Sequence, residues 1–205
     1  MKEIAVVDYG MCNLDSVSRA VEKCGGVPLV TADAREIAGA DGIILPGVGA
    51  FSDAMANLKE RGLVAVLREQ AIGRGIPFLG ICLGMQLMAE VGHEGGQSEG
   101  LGLIPGEAVR LVADTPASRI PHVGWNEVTS RRDCPLLAGI PDHTDFYFVH
   151  SYHFRCDERF VIGRTPYCGG FASVVGREEC FGVQFHPEKS LAAGQILLRN
   201  FLALC

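Results

Sequence analysis

Ile76-Pro77-Phe78-Leu79-Gly80-Ile81-Cys82-Leu83-Gly84-Met85-Gln86 decides how this chain folds. The apolar run Ile76 to Ile81 is short and bounded by turn residues, as suits a strand buried on both faces of a parallel sheet. A helical pattern follows at once, from Leu83 to Val91. Between them lies Gly80-Ile81-Cys82-Leu83-Gly84, the glycine-x-nucleophile-x-glycine pattern of a strand-to-helix elbow with cysteine in the serine position. A nucleophile on such a strained turn leaves room only for hydrogen at the flanking positions, where side chains would meet adjacent strands. The helix start places the thiol near the positive end of the macrodipole, which favours the thiolate, and the Leu83 N–H becomes an oxyanion donor. A buried structural cysteine in a glycine-rich turn is the competing reading of the elbow alone.

Outward from the elbow the pattern repeats. Ile4 to Val7 and Gly42 to Leu45 are further buried apolar runs. The helical spacing of Leu14, Val17, Val21 and Cys24 between them predicts a helix capped by Asn13 and ended by Gly25, a β-α-β opening. Helical stretches are also predicted from Ser52 to Lys59 and from Leu63 to Gly73. This half reads as doubly wound. In the second half, closely spaced Gly, Pro and turn signals bracket strands around Ala108 to Val112, Phe146 to Val149, Phe160 to Gly163, Ser173 to Val175 and Phe181 to Phe185, several of them antiparallel additions. An amphipathic helix, Ala192 to Leu204, closes the chain. The fold class is therefore α/β, a doubly wound, flavodoxin-like and mostly parallel sheet with added antiparallel strands.

At 205 residues and 48% hydrophobic composition the chain suits one well-buried core, and nothing marks a boundary within residues 1–205, which read as a single domain. A net charge of −6 excludes a phosphate-neutralising nucleic-acid face. There is no secretory signal and no apolar span long enough for a membrane, so a soluble, cytoplasmic protein is expected. The eight cysteines are scattered without a C-x-x-C pair and read as reduced, mostly small buried hydrophobes.

A cysteine nucleophile needs a base. Phe185-His186-Pro187-Glu188 follows the last strand, and Pro187 restricts His186 to extended backbone, in which His186 and Glu188 project to one side. A carboxylate there fixes the imidazole tautomer and leaves the other ring nitrogen to the thiol. The other histidines, His93, His122, His143, His150 and His153, have no cysteine or carboxylate cluster around them, so no metal site is expected. Pro46-Gly47-Val48-Gly49-Ala50-Phe51 is a Gly-rich loop without a full nucleotide-binding fingerprint. A second oxyanion wall, with a Gly49 amide beside that of Leu83, and an ordinary tight turn are its two readings.

Gly80-Ile81-Cys82-Leu83-Gly84-Met85-Gln86 together with Phe185-His186-Pro187-Glu188 resembles the class I, triad-type glutamine amidotransferases. Four further segments, Asp8 to Leu14, Leu45 to Phe51, Pro121 to Asn126 and Tyr147 to Tyr152, are similar to those of the glutaminase subunits of imidazole glycerol phosphate synthases, and the likeness spans essentially the whole chain. The resemblance implies the amidotransferase fold and a Cys82, His186, Glu188 triad that hydrolyses glutamine through a γ-glutamyl thioester. It implies that Gly47, Gly49, Leu83, Gln86, Glu94, Ser151 and Tyr152 bind substrate or the oxyanion, with Gln86 and Glu94 at the amino-acid end. It places His122, Trp125 and Asn126 toward a (β/α)8-barrel cyclase that receives the ammonia, and it implies no cofactor. Where many triad amidotransferases carry a Gly-Gly-Pro-type loop, this chain has Gly-Val-Gly-Ala-Phe, so an oxyanion hole completed only after the partner docks is expected. A free-standing γ-glutamyl cysteine hydrolase, or the glutaminase of another synthase, is the alternative.

Overall fold

The computed structural model describes residues 1–205 as one continuous sheet of thirteen strands flanked by helices. The strands are β1 Glu3–Val7, β2 Val27–Thr31, β3 Gly42–Leu45, β4 Phe78–Ile81, β5 Val91–Gly92, β6 Ser98–Glu99, β7 Glu107–Arg110, β8 His122–Ser130, β9 Thr144–His150, β10 Tyr152–Arg155, β11 Val161–Thr165, β12 Phe171–Arg177 and β13 Cys180–Val183. The helices are α1 Leu14–Lys23, α2 Ala34–Gly39, α3 Phe51–Glu60, α4 Leu63–Arg68, α5 Leu83–Leu87 and α6 Leu191–Leu204.

Strands β2, β1, β3, β4 and β13 lie side by side, all parallel. Alternate residues of β1, β3 and β4 enter two separate apolar cores, as the two-residue period of a strand requires. Ala5, Val7, Ile43, Leu45 and Phe78 face the core closed by α2, α3 and α4. Ile4, Val6, Ile44, Leu79 and Ile81 face the core closed by α1 and α6. Helices on both faces explain why these strands are apolar throughout rather than alternating.

From β13 the sheet continues antiparallel through β12, which pairs with both β10 and β11. β8 pairs with β11 and forms a long antiparallel ribbon with β9. These additions are more extensive than the sequence indicated: β8, β10 and the short β5 and β6 were not predicted. Nor was β2, whose Pro28 interrupts its strand pattern; Pro28 is tolerated because β2 is the outermost strand beside β1.

Three local expectations are corrected. Asn13 precedes α1 but its side chain makes no capping bond, whereas Gly25 ends the helix at φ +95° as expected. β4 begins at Phe78 rather than Ile76, because Pro77 has no N–H to give the ladder. The helix after the elbow stops at Leu87 instead of reaching Val91. The carbonyls of Leu87, Met88, Ala89 and Glu90, which would continue it, accept amides from the returning segment Gly100 to Ile104.

Candidate active site

Cys82 follows the carboxyl end of β4 and His186 the carboxyl end of β13, which is the neighbouring parallel strand, so the two sheet ends deliver them to one place. The Cys82 N–H is tied across to the Val183 carbonyl at 2.8 Å. Cys82 itself sits at φ 54° and ψ −110°, a conformation that costs about 1–3 kcal/mol for a residue with a Cβ and that the surrounding structure must impose. The glycines on either side are required by contact: a Cβ on Gly84 would run into the Leu45 carbonyl oxygen on β3, and one on Gly80 would meet Met88 Sδ at 2.6 Å and the Gly84 carbonyl at 2.7 Å.

His186 Nδ1 lies 2.8 Å from Glu188 Oε1, and both side chains are almost wholly buried. His186 is extended, as Pro187 requires, but Pro187–Lys189 forms a 3-10 turn, so the turn and not extended-chain alternation brings the carboxylate back to the ring. Ser190 fixes this arrangement. Its Oγ donates to the His186 carbonyl at 2.6 Å and accepts the Tyr147 N–H at 3.0 Å, while the His186 N–H bonds the Tyr147 carbonyl. Burial alone would depress the His186 pKa, but hydrogen bonding and charge from Cys82 and Glu188 outweigh it and raise it to about 9. Nδ1 is engaged by Glu188, and Nε2, which bonds no nitrogen or oxygen, is the ring position turned to the Cys82 sulfur.

A pocket of about 300 Å³ opens over the thiol, lined among others by Gly49, Cys82, Leu83, Gln86, Glu94 and His186, with Val149 to Tyr152 as one wall. A larger cleft, about 590 Å³, runs past Cys134, Leu137 and Ile140 and holds none of these residues. The Leu83 N–H opens α5 and has no acceptor within the helix. Gly49, at φ +105°, lines the same pocket, and the adjacent Val48 N–H is held by the Met11 carbonyl at 2.9 Å. Gly47 is required because a Cβ there would collide with the buried Tyr9 hydroxyl. The Gln86 amide donates to the Tyr152 carbonyl at 2.9 Å and to Gln184 Oε1 at 3.2 Å, which leaves its own carbonyl oxygen for a ligand. Glu94 Oε2 accepts the Phe51 N–H at the start of α3. Ser151 and Tyr152 are half-buried in the wall.

Of the residues expected toward a partner, Trp125 is 49% exposed and stands edge-on to Tyr147. Asn126 is half-buried. His122 does not reach the surface: it is 4% exposed and stacked on Tyr167 at 4.0 Å. Sequence reasoning assigned no role to Gln184 or Ser190, both fully buried; for Gln184 the one available signal was a polar residue inside the apolar Phe181 to Phe185 run. No cluster of three or more His, Cys, Asp or Glu is placed to hold a metal ion.

The glutamine amidotransferase class-I family model matches residues 5–205. This chain belongs to the class-I glutamine amidotransferase family. It is a glutamine-hydrolysing enzyme. The imidazole glycerol phosphate synthase subunit HisH of Moorella thermoacetica is 53% identical over 202 residues, 98% of this chain and 94% of that one. The subunit of the same name from Desulfitobacterium hafniense is 50% identical over 200 residues, 97% of this chain and 92% of its own length. The HisH 1 subunit of Campylobacter jejuni is 45% identical over 201 residues, 98% of this chain and 100% of that one. Among solved structures, PurLQS from Thermotoga maritima superposes with a TM-score of 0.75 at 20% identity, over 99% of both chains. The glutaminase domain of Trypanosoma brucei CTPS does so with a TM-score of 0.68 at 18% identity, over 100% of this chain and 93% of that one. These two likenesses are of fold.

Proposed function

We propose that Cys82, His186 and Glu188 perform the glutamine hydrolysis of this chain, which is the glutaminase subunit of an imidazole glycerol phosphate synthase, and that residues 1–205 act as one glutaminase domain. The observation that carries the reading is the His186 ring, held by Glu188 through Nδ1 with Nε2 turned to the Cys82 sulfur in the pocket. The thiolate of Cys82 attacks the side-chain amide carbon of glutamine, and the oxygen that gains charge is met by the Leu83 N–H and, once the loop is in place, by that of Gly49. His186 gives its Nε2 proton to the departing nitrogen, so ammonia leaves and a γ-glutamyl thioester remains. The same nitrogen then takes a proton from water as that water attacks the thioester, releasing glutamate and returning the thiol. Gln86 and Glu94 hold the amino-acid end, and Ser151 and Tyr152 form the wall.

The ammonia passes to a (β/α)8-barrel cyclase that docks over the β8–β9 ribbon, with Trp125 as anchor and Asn126 beside it; His122 lies behind them. Support comes from the exposed indole and from relatives whose names make them synthase subunits. The bond from the Val48 N–H to Met11 supports a loop that is rearranged when the partner binds.

Glutamate release is to be measured with this chain, the barrel cyclase and that partner's substrate, each omitted in turn. Release that requires Cys82 and rises sharply only in the full mixture is the expected result. Equal release without the partner assigns a free-standing hydrolase, and none in any mixture removes the reading.

A further inference from the structure

Two buried histidines outside the triad, His122 and His150, stand opposite each other on paired strands β8 and β9, with His122 Nδ1 3.0 Å from His150 Nε2. Their partners fix the direction of every bond between them. His150 Nδ1 faces the Tyr152 carbonyl oxygen at 2.8 Å, which only an N–H does favourably, so that nitrogen carries the proton. Burial holds His150 down to about 3 and His122 to about 4, so both rings are neutral near pH 7. His150 Nε2 is then a bare acceptor, and His122 Nδ1 must donate to it. His122 Nε2 is bare in turn and accepts from Asn126 Nδ2 at 3.2 Å, while Asn126 Oδ1 is occupied by the Glu127 N–H.

The chain of bonds does not end at Tyr152. The same carbonyl accepts Gln86 Nε2, whose second hydrogen goes to Gln184 Oε1; Gln184 Nε2 faces the Cys82 sulfur at 3.7 Å. A continuous line of oriented bonds therefore runs from half-buried Asn126, which shares with His122 the core side of the ribbon opposite Trp125, to the wall of the pocket and the thiol. Gln184, His122 and His150 are each 5% exposed or less, so a lost partner there is not replaced freely by water.

We propose that Asn126, His122 and His150 are positioning residues: a one-way hydrogen-bond relay along the core side of the β8–β9 ribbon, with both imidazoles protonated on Nδ1, that holds the Tyr152 carbonyl and Gln86 in register for substrate. The inference rests on the glutaminase reading for its kinetic part and on geometry alone for the tautomers.

Nitrogen-15 NMR of the imidazole rings in the full chain reads the first part. Both rings neutral with the proton on Nδ1 at pH 7 is the expected result; a proton on Nε2 of either ring, or a charged ring, overturns the relay. The second part uses Asn126→Leu at the half-buried start of the relay and His122→Phe, which keeps a ring against Tyr167 and Phe148. Loss of one buried bond in the relay raises the glutamine KM about tenfold in the presence of the barrel cyclase, with kcat within about threefold. The rate of Cys82 alkylation by iodoacetamide changes in both variants. A pair that only stabilises the fold lowers the melting temperature in these variants and leaves KM and alkylation unmoved, which overturns the proposal. If the parent chain releases no glutamate in any mixture, the glutaminase reading fails by itself, and the tautomers and alkylation rates still decide the relay.

Discussion

Glu188 Oε1 reaches His186 Nδ1 at 2.8 Å by way of a 3-10 turn, and that turn is pinned by Ser190, whose hydroxyl bonds the His186 carbonyl and the Tyr147 amide. The His186–Glu188 pair is thus a local sequence motif whose geometry is imposed by a strand from another part of the chain.

Replacing Glu188 with Gln removes the negative charge that helps raise His186 to about 9. The His186 titration followed by NMR falls toward or below its ordinary range, and glutamate release drops about 100-fold or more, the scale of lost general acid–base catalysis. A group whose folded pKa is raised stabilises the native state fully below its unfolded value and loses that contribution as pH rises through the folded value. The parent chain therefore loses His186-linked stability from above pH 6.5 through about pH 9, and Glu188→Gln flattens that loss in denaturant melts.

Ser190→Ala leaves the Tyr147 N–H and the His186 carbonyl without their side-chain partner. An unsatisfied buried donor costs about 1–3 kcal/mol, read as a lowered urea midpoint. Because the turn beneath His186 is loosened, kcat falls more than glutamine KM rises. An unchanged kcat at reduced stability assigns Ser190 to the fold alone.

Glycine positions separate contact from conformation. At Gly84 a Cβ runs into backbone, the Leu45 carbonyl, which cannot move aside as a side chain does. Gly84→Ala lowers stability by about 2 kcal/mol or more and shifts the elbow with it. Gly39, at the end of α2, has nothing near its Cβ position and no positive φ, so Gly39→Ala is neutral or stabilises by up to about 1 kcal/mol. Equal effects at both positions, measured by chemical denaturation, remove the steric account of the elbow.

The central parallel strands β1, β3 and β4 were legible because they are buried on both faces and read as unbroken apolar runs, and the Cys82 elbow because strand, glycines and helix are contiguous. What escaped is non-contiguous. β8 carries Trp125 and His122 on a ribbon with one solvated face, where turn signals rather than apolar runs mark the ends, and β2 hides behind Pro28. The truncation of α5 depends on amides from Gly100 to Ile104, which no local pattern announces. His122, expected at a surface, is buried because its register partner His150 and the ring of Tyr167 receive it.

That burial has a measurable acid signature. Burial pushes His122 down to about 4 and His150 to about 3, both far below the ordinary imidazole value near 6.5. A histidine whose folded pKa is depressed stabilises the native state above its unfolded value, and the contribution is lost as pH falls from there toward the folded value, because the unfolded chain binds the proton first. Between pH 6.5 and about 4 each such ring steepens the acid loss of stability by about 1.4 kcal/mol per pH unit. Carboxylates such as Glu107, held low by Arg155, add their own acid dependence and are present in any variant. The decisive quantity is therefore the difference between the parent and His122→Phe. Urea midpoints taken from pH 7 to pH 4 converge as pH falls, since the variant lacks one of the groups that must be protonated on unfolding. Parallel curves would place His122 in water-like surroundings and contradict its stacking between Tyr167 and Phe148.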